Sequence, residues 1–90
     1  MNKRSVTIEQ ANRIAAELGI DLSKVDAEQF RIGLEIEFEH GSRDPDTDVT
    51  HDSETLTGKI AWAHLKEIPD YYTRLVRLEA EANGHGKPDR

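Results

Sequence analysis

Two pairs of side chains in this sequence have the types and spacing to do chemistry. Glu37-x-x-His40 and His64-x-x-Glu67 each set a carboxylate and an imidazole three residues apart, which on a helix puts both on one face. Glu and His at that spacing are how carboxylate-bridged di-metal bundles hold their ions. Imidazole with carboxylate suits zinc, iron or manganese. Both pairs also stand where a polar group is costly. With about 100° between successive residues, Phe30, Gly33, Leu34, Phe38 and Gly41 share one side of a helix, with Glu37 among them and His40 at the edge. Glu67 projects between Leu56 and Ile60, with His64 beside them. A carboxylate on an apolar face costs on the order of several kcal/mol unless it is paired or coordinated.

Each acid therefore needs a companion. One choice is a divalent metal held by Glu37, His40, His64 and Glu67. Another is a buried hydrogen-bonded network of those four with Tyr71 and Tyr72, and a third is water at the end of a small bundle. In a plain antiparallel hairpin Glu37 would face Thr57 and His64 would face Phe30, offsetting the two pairs by ~10 Å at 1.5 Å per residue. One ion could not span that offset unless the helices cross steeply or a second chain contributes. The register thus favours the network.

A second metal signal lies in the polar stretch from Gly41 to Asp52. Asp44, Asp46, Asp48 and Asp52 take positions 1, 3, 5 and 9 of a calcium loop. Position 6 is Val49 where a glycine must turn the chain, and position 12 is Thr55 where a bidentate glutamate belongs; Glu54 is one residue short and Pro45 stiffens the entry. These departures favour a solvated acidic loop, with His51 as a loop or capping residue. Trp62 with Lys59 and Lys66 forms an aromatic and cationic wedge suited to partner contact, since such residues anchor interfaces; the alternative is that Trp62 merely covers a neighbouring element. Nucleophilic catalysis has no evident agent. There is no cysteine, Ser5, Ser23, Ser42 and Ser53 read as loop or cap residues, and neither a nucleophile elbow nor a glycine-rich phosphate cradle occurs.

Four helical stretches must position these groups. Thr7 with Gln10 forms a capping box ahead of Ile8, Ala11, Ile14, Ala15 and Leu18, and Gly19 ends the helix. Asp26 caps the second, with Gln29 at its third position and Val25 stapled onto Phe30; this helix runs to His40 and stops at Gly41. Ser53 or Asp52 caps the third, whose apolar residues Leu56, Ile60, Ala61, Ala63, Leu65 and Ile68 cover most of its circumference and mark it as central. Pro69 opens the fourth, with Tyr71, Tyr72, Leu75, Val76, Leu78 and Ala82 on one face, and Asn83-Gly84 ends it. No stretch alternates long enough to read as a strand.

Ninety residues, 12 basic against 18 acidic for a net charge of −6, and 36% hydrophobic content leave room for one small domain. No apolar run approaches the ~18 residues of a membrane span. No apolar region follows the basic start to make a signal peptide. The absence of cysteine excludes a disulfide scaffold and fits a reducing cytoplasm. Net acidity makes a nucleic-acid partner unfavourable. The expected architecture is an all-α compact bundle of four short helices, the third central, with a long acidic loop between the second and third. Residues 7–83 form the domain, 1–6 an extension and 84–90 a tail.

Leu18-Gly19-Ile20-Asp21, Gly33-Leu34-Glu35-Ile36-Glu37-Phe38-Glu39-His40-Gly41, Thr57-Gly58-Lys59-Ile60-Ala61 and Ala63-His64-Leu65-Lys66-Glu67-Ile68-Pro69-Asp70-Tyr71-Tyr72-Thr73-Arg74-Leu75 resemble an uncharacterised family of bacterial and phage proteins, a domain of unknown function. The resemblance implies signature roles for Glu37, His40, His64, Glu67, Asp70, Tyr71 and Tyr72. It also implies a shorter connection in relatives where this chain has Gly41 to Ser53, which speaks against calcium, and it carries no reaction. The function these features point to is a small acidic accessory or interaction protein, non-enzymatic and phage-linked, contacting a protein partner or itself as a homodimer. The alternatives are a metal-binding bundle of ferritin-like motif and an acidic nucleic-acid mimic that inhibits a host or defence enzyme.

Overall fold

A computed structural model describes residues 5–82. Within them the chain forms α1 (Ile8–Leu18), α2 (Ala27–Arg43), a 3-10 turn (Pro45–Thr47), α3 (Glu54–Glu67) and α4 (Tyr71–Ala82). The all-α bundle of four helices is as the periodicity predicts.

The helix starts follow local chemistry. Thr7 accepts from the Gln10 amide while the Gln10 side chain accepts from the Thr7 amide, and Gly19 closes α1 in the left-handed conformation at φ 77°, which costs glycine least. Asp26 accepts from the Glu28 and Gln29 amides at the start of α2, and Ser53 accepts from the Leu56 amide at the start of α3. Two boundaries differ from the sequence expectation. Gly41 does not end α2, which continues to Arg43. A Cβ at Gly41 would lie 2.6 Å from Thr50 Oγ1, so glycine serves there for close approach of the returning loop. Pro69 precedes α4 in a turn, where the Tyr71 amide donates to the Ile68 carbonyl. The expected stop at Asn83 and the tail 84–90 lie outside the described residues.

The core gathers Ala11, Ile14, Ala15, Ile20, Val25, Phe30, Leu34, Phe38, Ala61, Leu65 and Tyr72. Val6, ahead of the first helix, joins it. Its amide donates to Glu35 Oε2 at 2.8 Å and its carbonyl accepts from Arg31 at 3.1 Å, so an Arg31–Glu35 pair on α2 pins the incoming chain.

The central position belongs to α2, which packs against each of the other three helices. This corrects the expectation that α3 is central. Leu56 and Ala63 on α3 are exposed, as is Ile68 just past its end, and the buried face of α3 is Thr57, Gly58, Ala61 and Leu65. Small residues let α1 come close: a Cβ at Gly58 would meet Leu18 Cδ1 at 2.7 Å and Ile14 Cγ2 at 2.9 Å. Close approach has outweighed apolar bulk in choosing the face. A bidentate ion pair of Arg13 with Glu54, both bonds 3.1 Å, ties α1 to the start of α3 at the surface. No helix among the described residues is long and apolar enough to cross a membrane.

Candidate functional site

Glu37 is turned inward, as its place among Phe30, Leu34 and Phe38 requires, and is only 8% exposed. Its companions come from two other helices. Tyr72 on α4, wholly buried, donates its hydroxyl to Glu37 Oε2 at 2.8 Å. His64 on α3 brings Nδ1 to 3.0 Å from Tyr72 Oη and 3.2 Å from the same Glu37 oxygen. The Tyr72 proton is already directed to the carboxylate, so a hydrogen on His64 Nδ1 satisfies all three groups; the network itself assigns that proton. Burial, then the neighbouring Glu37 charge and hydrogen bond, and last Tyr71, push the Tyr72 hydroxyl far above the ordinary tyrosine range. It therefore holds its proton and acts as a donor.

The sequence-based register is overturned here. Glu37 meets His64 rather than the neighbourhood of Thr57. The Phe30 ring meanwhile lies 3.6 Å from where a Gly58 Cβ would be. Contacts that ascend together along both helices do not occur in an antiparallel pair lying side by side. The observed packing brings Glu37 and His64 together despite the offset expected between them.

Surrounding groups hold the triad in place. The Tyr71 ring stacks on His64 with centroids 4.2 Å apart, and Tyr71 and Tyr72 meet edge-on at 4.9 Å. The glutamine at the third position of α2 does not close a capping box. Gln29 Oε1 accepts from the Tyr72 amide at 3.2 Å and its Nε2 donates to Thr73 Oγ1 at 2.6 Å, satisfying the first turn of α4. Gly33 leaves room for the Tyr72 ring, since a Cβ there would fall 2.9 Å from both Cδ2 and Cζ and nearer still to Cε2. Sequence reasoning missed Gln29, Gly33 and Glu79. A glycine in the middle of a buried face was the available sign of a close approach. Nothing local marked Gln29 or Glu79.

The remaining expected residues fall in different places. His40 is partly exposed, with Nδ1 3.7 Å from Glu37 Oε1 and Nε2 3.6 Å from Glu79 on α4, beyond hydrogen-bond reach of both. Glu67, last residue of α3, is exposed and stands apart from the cluster, because the apolar flank assigned to it, Leu56 and Ile60, is not the buried face. The network is thus Glu37, Tyr72 and His64, with Tyr71 stacked on it and His40 beside it. Among the described residues no group of three or more His, Asp or Glu is arranged to hold a metal ion.

In the acidic loop, Asp44 accepts from the Asp46 amide at 2.9 Å and Asp48 from the His51 amide at 2.7 Å. These two carboxylates fold the loop on itself, and His51 and Asp52 take positive φ of 47° and 65°. Trp62 is half-buried against the core with Lys66 Nζ 5.0 Å over its ring, while Lys59 is exposed.

A cleft of about 410 Å³ opens between the end of α2, the loop and α3. Glu37, His40, Arg43, Asp44, Thr47, Val49, Thr50 and Ile60 are among the residues that line it.

These features define a class of protein: a small helical bundle centred on one buried carboxylate that a tyrosine and a histidine from two other helices enclose. The chain belongs to the family described as Protein of unknown function (DUF5661), which matches residues 11–81. No curated protein and no solved structure matches it.

Proposed function

We propose that this protein works by contact rather than by catalysis, as a small accessory protein that self-associates through α4. One observation carries the reading: α4 fully buries only Tyr72, while Leu78 and Val76 remain 59% and 52% exposed. Leu78 shares a stripe with Arg74, four residues before it, and Glu81, three after it. Opposite charges flanking a leucine on either side are complementary to themselves when two copies lie antiparallel. Each Arg74 then faces the Glu81 of the second copy about a two-fold axis that passes between Arg77 and Leu78, an isologous contact. The Arg74–Asp70 bond engages Nε, which leaves its terminal nitrogens for that pairing. The triad supports the same reading from inside, since Tyr72 and His64 occupy one oxygen of Glu37 and the tyrosine is wholly buried.

Sedimentation equilibrium over a range of concentrations tests this. The expected result is a dimer that Leu78→Glu converts to monomer. Arg74→Glu and Glu81→Arg should each weaken the dimer, and the double variant should restore it. A monomer at all concentrations, or a dimer indifferent to Leu78→Glu, would refute self-association through α4.

A further inference from the structure

We infer that the cleft between α2, the loop and α3 is a binding site for a primary ammonium group carried on an unbranched aliphatic stem. Glu37, more than nine-tenths buried, lines this cleft. Its two oxygens are used unequally. Oε2 accepts from Tyr72 and lies beside His64. Oε1 has His40 Nδ1 as its nearest ionic neighbour at 3.7 Å and, among the described residues, no donor within hydrogen-bond distance. Oε1 is thus the oxygen that Glu37 presents to the cleft, and a cation seated there would pair with a carboxylate whose side chain is otherwise buried.

The single available oxygen favours one kind of cation. A guanidinium binds a carboxylate best through a fork that uses both oxygens, whereas an ammonium is a point charge with three rotatable donors and loses nothing by using one. Glu37 offers one. Val49 and Ile60 on the cleft wall supply apolar surface for a methylene stem, and the Thr47 and Thr50 side chains lie on the same wall. The arginine on the cleft lining, Arg43, is already engaged, since it pairs with Glu39 at 3.3 Å. The chain's net charge of −6 favours approach of a cation. This site is independent of the α4 contact. Two sources supply such a group: a lysine side chain of a protein, and a free alkylamine or diamine.

Titration of the isotopically labelled full chain with n-butylammonium, a linear aliphatic diamine and Nα-acetyl-lysine methylamide, followed by amide chemical shifts, tests the inference. Shifts should gather at His40, Val49, Thr50 and Ile60 for butylammonium. Binding should fall at least tenfold in Glu37→Gln and at least threefold in Val49→Lys, a change at a 70% exposed position that the fold tolerates and that places a competing ammonium at the cleft. Glu9→Gln, on the exposed face of α1, should bind as the parent does. A stronger response to the acetyl-lysine amide identifies a protein source, and a stronger response to the diamine a free amine. No shifts at the cleft, equal binding by n-butylguanidinium, displacement by zinc at lower concentration, or binding unchanged in both Glu37→Gln and Val49→Lys would each overturn it.

Discussion

Gly33→Ala is a substitution that general helix chemistry expects to help and this structure expects to harm. Alanine in place of glycine inside a helix gains about 1 kcal/mol. Here the added carbon would lie 2.9 Å from two atoms of the Tyr72 ring and closer to a third, against the ~3.5–4.0 Å of ordinary carbon contact. The ring must retreat by roughly 1 Å to restore that spacing, and it is wholly buried. Overpacking of that kind costs about 1–3 kcal/mol. The same retreat draws the Tyr72 hydroxyl off Glu37, now 2.8 Å away, and a hydrogen bond to a charged group contributes about 1.5–3 kcal/mol. Subtracting the propensity gain leaves a net loss of about 1.5–5 kcal/mol, or a fall in Tm of at least about 6 °C for a domain of this size. Urea unfolding of Gly33→Ala, Tyr72→Phe and the double variant measures it. The two substitutions share the lost hydrogen bond, so the double variant should be more stable than their sum by about 1.5–3 kcal/mol. Wild-type stability in Gly33→Ala, or strictly additive effects, would refute the claim that the glycine exists to seat the tyrosine against the acid.

Other outcomes follow from the same geometry. Thr57 Oγ1 is buried without a hydrogen-bond partner, so Thr57→Val should raise the midpoint of urea unfolding by an amount equivalent to about 1 kcal/mol. Tyr72 holds its proton in the fold far above the usual range. Below pH ~10 its contribution to stability is constant; above that the unfolded chain releases a proton the folded chain keeps, and stability falls by about 1.4 kcal/mol per pH unit. Unfolding followed between about pH 9.5 and 11.5 should show Tyr72→Phe losing one proton's worth of that slope. Glu37→Gln retains an acceptor for the Tyr72 hydroxyl and should change stability by ~1 kcal/mol or less. A loss of several in urea unfolding would mean that a cation balances the carboxylate and that the hydrogen bonds alone do not.

The readable parts of this fold were those governed by neighbours in sequence. Thr7 with Gln10, Gly19, Asp26 and Ser53 act within a turn of their own helix, so their chemistry is visible without knowing the rest. Glu37 was legible for a related reason, because its apolar helical neighbours fix its direction. Its partners were legible as residue types but not as geometry. Whether His64 or Thr57 faces Glu37 depends on how α2 packs on α3, and the face α3 buries is the small-residue one of Thr57, Gly58 and Ala61, against which α1 also comes close at Gly58. The same oversight placed Glu67 inside the bundle and α3 at its centre: large apolar residues were weighed above small ones when the buried face was chosen. Gly41 was misread because glycine stops helices and also admits close neighbours, and only the position of Thr50 distinguishes the two uses. Gln29 has two reachable partners, one in its own helix and one on α4, and the distant one prevailed.

Tyr72 has a consequence beyond the hydrogen bond it makes. It is the single side chain that α4 sinks fully into the molecule, and its hydroxyl also holds one oxygen of the interior acid. Peeling the last helix away and giving that oxygen to water are therefore one event, and its hydration opposes the helix's return. The C-terminal segment should open as a unit, all its amides exchanging together ahead of those in the first three helices, instead of fraying one turn at a time.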